Sequence, residues 1–188
     1  MKKVITIAMI ILIAAALIRP AIAKTTWTDK REQAHEIAET ARAMGLPESD
    51  PIIVRAKEIW KAEDIQFQID RDIIATVIYN EAWGGCTERH RELVAAVIVN
   101  RVKSDKFPDS VYDVVAQKGQ YLQGYANGDP QYTPPIEVRE ECQEIAARAL
   151  RGEIDCPVNV LYQAEFKQGS GVYEVCKTSY STTYFCYG

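Results

Sequence analysis

The sequence predicts an α+β protein that is mostly helical and carries a small antiparallel sheet at its C-terminal end. Between residues 28 and 150, apolar residues recur every three or four positions, which is the spacing of amphipathic helices. After residue 157, apolar and polar residues alternate, as is typical of strands. Residues 118–135 hold three glycines, three prolines and three tyrosines with little periodicity. They indicate a long ordered loop, of the kind that often shapes a binding groove.

The first 23 residues have the pattern of a secretory signal peptide. Lys2 and Lys3 precede an apolar run from Val4 to Ile18, and Ala21 to Ala23 form an Ala-x-Ala cleavage pattern. A membrane anchor is the alternative, but the run is shorter than the roughly 20 apolar residues that span a bilayer. We therefore expect cleavage after Ala23 and a secreted, extracytoplasmic protein with no stable membrane span.

The charge balance argues against a nucleic-acid partner. The 22 basic and 26 acidic residues give a net charge of -4, and cleavage after residue 23 would leave 19 basic residues and a net charge of -7. An acidic surface gains nothing from the release of phosphate counterions, and no basic stripe is present. The remaining chain is long enough for one compact core of ordinary size.

Five cysteines lie in the expected mature chain: Cys86, Cys142, Cys156, Cys176 and Cys186. Disulfides persist in exported proteins, so we expect two bridges and one remaining thiol, in a pairing that the sequence does not fix. A zinc site is less favoured, because no Cys-x-x-Cys pair is present and only His35 and His90 offer imidazoles. We expect no metal and no cofactor.

An N-terminal helical hairpin is expected over residues 24–64, ahead of a larger domain at residues 65–188. Thr28 can cap its first helix, which a Gly-Leu-Pro sequence starting at Gly45 ends. Asp50 followed by Pro51 can start its second helix. Each helix has one apolar side, so the pair is expected to dock on the rest of the chain or on a partner.

The next predicted helix, capped by Asp70, carries a carboxylate on its apolar side. Ile74, Val77 and Ile78 form the apolar stripe, and Glu81 follows them by seven, four and three residues, which places it on the same face. Burial there would raise the pKa of the carboxyl and favour the protonated form that a general acid needs. The alternative is a solvated or ion-paired carboxylate at a helix end.

Further helices are marked by their termini. Thr87 can cap a helix whose apolar side includes Asn100, an amide that either orients substrate or Glu81 or joins two helices. Ser110 and Asp113 resemble a capping box for a short helix. A last helix is expected to run from Pro135 to a stop at Gly152.

Three strands are expected in the tail. They are centred on residues 158–163, 172–175 and 182–187, with a turn at residues 169–171 between the first two.

Short motifs occur in a fixed order between residues 72 and 152, with one more in the strand that follows. They are Tyr79-Asn80-Glu81-Ala82, the apolar run Val94–Val99 with Asn100-Arg101-Val102, Gly119-Gln120-Tyr121, the Ala147, Leu150 and Gly152 helix end, and Leu161-Tyr162. This ordered set resembles the cell wall hydrolase family that includes spore cortex-lytic enzymes. No single motif is specific, but their shared order is.

The resemblance implies a fold similar to lytic transglycosylases and goose-type lysozymes. It also implies a single glutamate that protonates the bond between N-acetylmuramic acid and N-acetylglucosamine in peptidoglycan, a role that falls on Glu81. Lytic transglycosylation needs one carboxylate, because the 6-hydroxyl of the sugar closes an anhydro ring. A hydrolase would normally need a second carboxylate. The candidates for that second group are Glu88, Glu92, Asp113 and Asp129.

Substrate-binding residues are expected around the irregular loop. The Gln120 amide can bond an N-acetyl group, the Tyr121 and Tyr162 rings can stack on a sugar, and Asn100 can orient the substrate. The sequence also departs from the family pattern, since Trp83 replaces an arginine and Gly85 stands where many members have a second glutamate.

Two other functions are compatible with the sequence. Cys86 stands four residues before His90 at a helix start, which is a possible nucleophile pair for a peptidase or amidase acting on the peptide stems of the wall. The other alternative is a wall-binding module without catalysis, in which the tyrosine-rich loop holds glycan.

Overall fold

The computed structural model describes residues 27–121 and 134–188. These residues form helices α1 (Trp27–Ala43), α2 (Pro51–Ala82), α3 (Glu88–Lys103), α4 (Val111–Ala116) and α5 (Ile136–Arg151), and strands β1 (Val160–Ala164), β2 (Gly171–Lys177) and β3 (Thr182–Tyr187). The predicted α+β class, with a small C-terminal antiparallel sheet, is confirmed. The expected signal peptide and residues 122–133 of the expected loop lie outside the described residues.

Helix α2 is longer than the sequence pattern predicts. The Asp50 carboxylate accepts a hydrogen bond from the Ile52 amide at 2.9 Å, so the predicted start is confirmed. The predicted helix start at Asp70 is wrong, because α2 continues through this residue to Ala82. Asp70 is buried there and accepts a 2.9 Å hydrogen bond from the Gln66 amide one turn earlier, so its carboxylate is satisfied without a helix end.

Helix α1 begins two residues earlier than a cap at Thr28 would place it. It starts at Trp27, so Thr28 lies in its first turn and is not its cap.

The described residues fall into two compact units, which divide between Asp64 and Ile65. In the first unit, small and branched apolar residues of α1 and α2 are buried, among them Ala34, Ala38 and Ile53. The centroid of the Trp60 ring lies 5.1 Å from the centroid of the His35 ring. The same Trp60 ring centroid lies 4.5 Å from the guanidinium carbon of Arg31. These contacts join the two helices of this unit.

Helix α3 is the centre of the second unit. Every residue from Leu93 to Val102 is buried, so the helix is covered on all sides by α4, α5 and β1. Its first turn is capped as predicted, with the His90 amide donating to the Thr87 hydroxyl at 3.2 Å. The predicted capping box of α4 and the stop of α5 at Gly152, which has a φ of 75°, are also confirmed.

The sheet has β3 in the middle, antiparallel to both β1 and β2. The turn at residues 169–171 therefore joins two outer strands that do not pair with each other. Because the outer strands run in the same direction, the last residues of β1 and β2 lie next to the first residues of β3, at one end of the sheet. The turn between β2 and β3, residues 178–181, lies at that end of the sheet.

The expected disulfide bridges are not found, since all five cysteines are free. Cys176 and Cys186 lie on paired strands, yet they are out of register. Cys176 stands opposite Thr183, and Cys186 stands opposite Val172. A disulfide needs the two Cα atoms within about 7 Å of each other, which this register does not provide.

Candidate active site

Glu81 lies in the last turn of α2, where the helix reaches the edge of the core. Ile74, Val77 and Ile78 are fully buried, as their spacing predicts. Glu81 itself is exposed, so the expectation of a buried side chain is wrong. The reason is that α2 ends at Ala82, and Gly84, with a φ of 68°, turns the chain away from the helix axis.

The Glu81 carboxyl is accessible and is nevertheless easier to protonate than a free glutamate. Desolvation by the surrounding protein raises its pKa above the ordinary value of 4.5. A carboxyl group that delivers a proton to a polymer has to be reachable from solvent and has to hold its proton near neutral pH. Glu81 has the first property, and its pKa is shifted toward the second.

The candidates for a second carboxylate are engaged in other contacts. The Arg148 guanidinium lies 3.1 Å from the Glu88 carboxylate and 2.6 Å from the Glu92 carboxylate, joining α5 to α3. Asp113 accepts a 2.6 Å hydrogen bond from the Ser110 hydroxyl in the capping box of α4. Asp129 lies outside the described residues. The three described candidates therefore have structural partners.

The Asn100 side chain joins α3 to the segment that leads into β1. It is buried, and its amide donates to the carbonyl oxygens of Pro157 at 2.9 Å and Val160 at 3.1 Å. Both N–H bonds of this amide are thereby directed to backbone. This geometry favours the structural interpretation of Asn100 over the substrate-orienting one.

Tyr121 lies inside the protein beside a buried arginine. Its side chain is 5% exposed, and its hydroxyl has no hydrogen-bond partner among the described residues. Burial raises its pKa to about 12, against the opposing effect of Arg101 and with a smaller contribution from Glu81 in the same direction. The Arg101 guanidinium carbon lies 5.4 Å from the Tyr121 ring centroid and 5.0 Å from that of Phe107. The Tyr121 ring is therefore covered by protein and not open for stacking on a sugar.

The other predicted binding residues differ in exposure. Gln120 is exposed, as a residue that contacts substrate needs to be. Tyr162 is half-buried and packs edge-on against Phe107, with 6.2 Å between ring centroids. Of the predicted binding side chains, Gln120 is the one that is open to a ligand.

Tyr180 is not part of any motif in the sequence, and the fold brings it to the segment that follows α2. The Tyr180 hydroxyl donates to the Gly84 carbonyl oxygen at 2.6 Å, while its side chain stays 65% exposed. An open cleft of about 450 Å³ lies beside it, lined by Glu165, Thr178, Ser179, Tyr180, Ser181 and Thr182. A tyrosine in a polar turn was the available sequence signal, but its contact with α2 spans 96 residues and has no local signature.

The Cys86 and His90 side chains are not arranged as a nucleophile pair. The His90 ring is buried and packs edge-on against Phe185, with 5.6 Å between centroids. Within the part of the chain that the structure describes, its Nδ1 atom has no hydrogen-bond partner. Burial, with a further contribution from the Arg91 charge, lowers the pKa of His90, so the ring is held neutral. These contacts place His90 in the core beneath the sheet.

The lowered pKa of His90 predicts a loss of stability in mild acid. As pH falls below about 6.5, the unfolded chain takes up a proton that folded His90 resists. The contribution of His90 is complete above that pH and is lost as pH falls through the folded-state pKa. Urea unfolding from pH 7.5 to about 5.5 is expected to show a steeper decline for the parent than for His90→Gln. A decline in His90→Gln as steep as that of the parent would contradict this assignment.

The described residues contain no cluster of metal-binding side chains and no membrane-spanning helix. In that part of the chain, no group of three or more His, Cys, Asp or Glu side chains could hold a metal ion. No helix there is long and apolar enough to cross a membrane.

Residues 87–170 match the family described as Cell Wall Hydrolase. The match begins after Glu81 and covers α3, α4, α5 and β1. It agrees with the resemblance that the motifs within these residues indicate. No curated protein and no solved structure matches the chain significantly.

Proposed function

We propose that the protein cleaves the glycan strands of peptidoglycan as a lytic transglycosylase. The match of residues 87–170 to the family described as Cell Wall Hydrolase supports this proposal. The bond cut is the one between N-acetylmuramic acid and N-acetylglucosamine, and Glu81 is the general acid and base. The family supports action on the cell wall in general terms. The observation that carries the finer proposal is an accessible carboxyl with a raised pKa at the end of α2.

One carboxyl group is enough for the proposed reaction. Protonated Glu81 gives its proton to the glycosidic oxygen while the bond to the muramic C1 atom breaks. The resulting carboxylate then accepts the proton of the muramic 6-hydroxyl, whose oxygen bonds to C1 and closes the anhydro ring. Glu81 thereby regains its proton, and no water is consumed. The structural engagement of Glu88, Glu92 and Asp113 supports this one-carboxylate scheme.

The remaining assignments follow from this reaction. The exposed Gln120 is proposed to contact an N-acetyl group of the glycan. Peptidoglycan lies outside the cytoplasmic membrane, so the protein is proposed to be secreted through the signal peptide at residues 1–23 and to act at the wall. Vegetative wall and spore cortex both contain the bond that is cut.

Purified peptidoglycan sacculi test the proposal. The parent protein is expected to clear a suspension of sacculi and to release soluble muropeptides. A protein that co-sediments with sacculi but releases nothing would instead be the wall-binding module, and the proposal of catalysis would be abandoned.

The thiol alternative predicts a different outcome for one variant. We expect Cys86→Ser to release muropeptides at a rate within about twofold of the parent, because His90 is turned into the core and cannot activate the thiol. The measurement is the initial rate of release, together with the number of new amino termini. Loss of release in this variant, with cut peptide stems among the parent's products, would establish the peptidase or amidase alternative.

A further inference from the structure

One end of the sheet forms an open cleft that neither the family match nor the proposed acid accounts for. Its lining comes from the end of β1 and from the turn between β2 and β3. Tyr180, one of the lining residues, donates its hydroxyl hydrogen to the carbonyl oxygen of Gly84. Gly84 follows Glu81 by three residues in the sequence. The cleft therefore adjoins the end of the helix that carries the proposed acid.

The Tyr180 side chain is fixed in position although most of its surface is exposed. Its hydroxyl is tied to the Gly84 carbonyl, and its own amide donates to the Thr178 hydroxyl at 3.3 Å. The Ser181 amide also donates to the Thr178 hydroxyl, at 2.9 Å, which closes the turn. An aromatic ring held in this way can receive a ligand without a further loss of side-chain entropy.

Strand β2 is also joined to the start of α3. The Arg89 guanidinium lies 2.8 Å from the Glu174 carboxylate on β2 and donates to the Asp155 carbonyl oxygen at 3.0 Å. Together with the contact between Tyr180 and Gly84, this ion pair holds β2 and its turn at two points against the segment that follows Glu81. These two contacts fix the position of the turn that lines the cleft.

The chemistry of the lining fits a neutral sugar. An exposed aromatic face packs against the C–H groups of a pyranose ring, and hydroxyl and carboxylate groups bond its hydroxyl and amide groups. The six lining residues include one acidic residue, Glu165, and no basic residue. A carboxylate-bearing muramyl peptide would meet repulsion from Glu165, whereas an N-acetylglucosamine residue would not.

We propose that this cleft is a subsite for an N-acetylglucosamine residue of the glycan, with Tyr180 as the stacking platform and Glu165 as a hydrogen-bond acceptor. This inference rests on the proposed function, since it assigns a sugar of the proposed substrate to this cleft. The subsite would hold the strand next to the acid and would set specificity for the unsubstituted sugar of the repeating unit.

Binding of N-acetylchitotetraose, measured by calorimetry in the Glu81→Gln background, tests the subsite without turnover. Tyr180→Ala is expected to raise the Kd about tenfold through loss of the stacking face. Tyr180→Phe keeps the ring but loses the bond to Gly84, and is expected to raise the Kd about threefold. Tyr112→Ala is the matched control, because Tyr112 is 51% exposed on α4 and is not part of the cleft; its Kd should be unchanged.

The results separate the subsite from the proposed function. Muropeptide release by the parent, combined with an unchanged Kd in Tyr180→Ala, would overturn the subsite and leave the function standing. Tyr180-dependent binding by a parent that cuts nothing would support the subsite and remove the function. Competition by a muramyl peptide, with no binding of the chito-oligosaccharide, would also overturn the subsite.

Discussion

Replacing Glu81 with Gln is expected to lower the rate of muropeptide release by at least about a hundredfold, because general acid catalysis contributes roughly a hundredfold to ten-thousandfold. The amide has nearly the same shape as the carboxyl, but it cannot give up a proton to the glycosidic oxygen. The measurement is the initial rate of soluble muropeptide release from purified sacculi. Release by Glu81→Gln at the rate of the parent would contradict the role of Glu81.

The stability of Glu81→Gln separates a loss of catalysis from a loss of folding. Folding raises the pKa of Glu81, so its contribution to stability is complete below pH 4.5 and is lost as pH rises through the folded-state pKa. At neutral pH the amide carries no charge to desolvate, and Glu81→Gln should therefore unfold at a urea concentration no lower than the parent. Glu88→Gln, at an exposed carboxylate paired with Arg148, is the matched control and should keep the activity of the parent.

The variant Asn100→Asp is expected to lower the free energy of unfolding by about 3 kcal/mol at neutral pH, since each buried group left without its partner costs roughly 1–3 kcal/mol. The Asn100 amide donates to the carbonyl oxygens of Pro157 and Val160. A carboxylate has the same shape but no N–H group, so it would place a buried negative charge against two acceptors. Equilibrium urea unfolding measures the change.

An exposed residue supplies the control for this substitution. Gln120→Glu makes the same change from amide to acid at the surface and should alter the free energy of unfolding by less than about 0.5 kcal/mol. If Asn100 instead served only to orient substrate, Asn100→Asp would keep the stability of the parent and lose activity alone.

The helix termini could be predicted because their signals are local. Thr87 caps α3, Ser110 and Asp113 form the capping box of α4, and Gly152 ends α5, each through contacts within a few residues. The strands of the tail were predicted from alternation alone. What alternation does not determine is their order, because the pairing of β3 between β1 and β2 is set by contacts distant in sequence.

The predictions that were wrong or missing depend on contacts between residues that are not part of any local pattern. Asp70 has the composition of a helix cap, but Gln66 satisfies its carboxylate within a continuous helix. Glu81 continues an apolar stripe, yet its exposure depends on where the core ends, which no spacing records. Tyr180 reaches Gly84 only because the sheet folds back on the end of α2. The sequence is therefore enough to propose Glu81 as the acid, whereas the surroundings of this residue depend on tertiary structure.

Mass spectrometry of the soluble products from purified peptidoglycan tests the central claim most directly. The parent is expected to give muropeptides that end in 1,6-anhydro-muramic acid, and Glu81→Gln is expected to give almost none. Products from the parent that are heavier by one water and end in reducing muramic acid would contradict transglycosylation and show hydrolysis. Intact glycan strands with cut peptide stems would contradict glycan cleavage altogether.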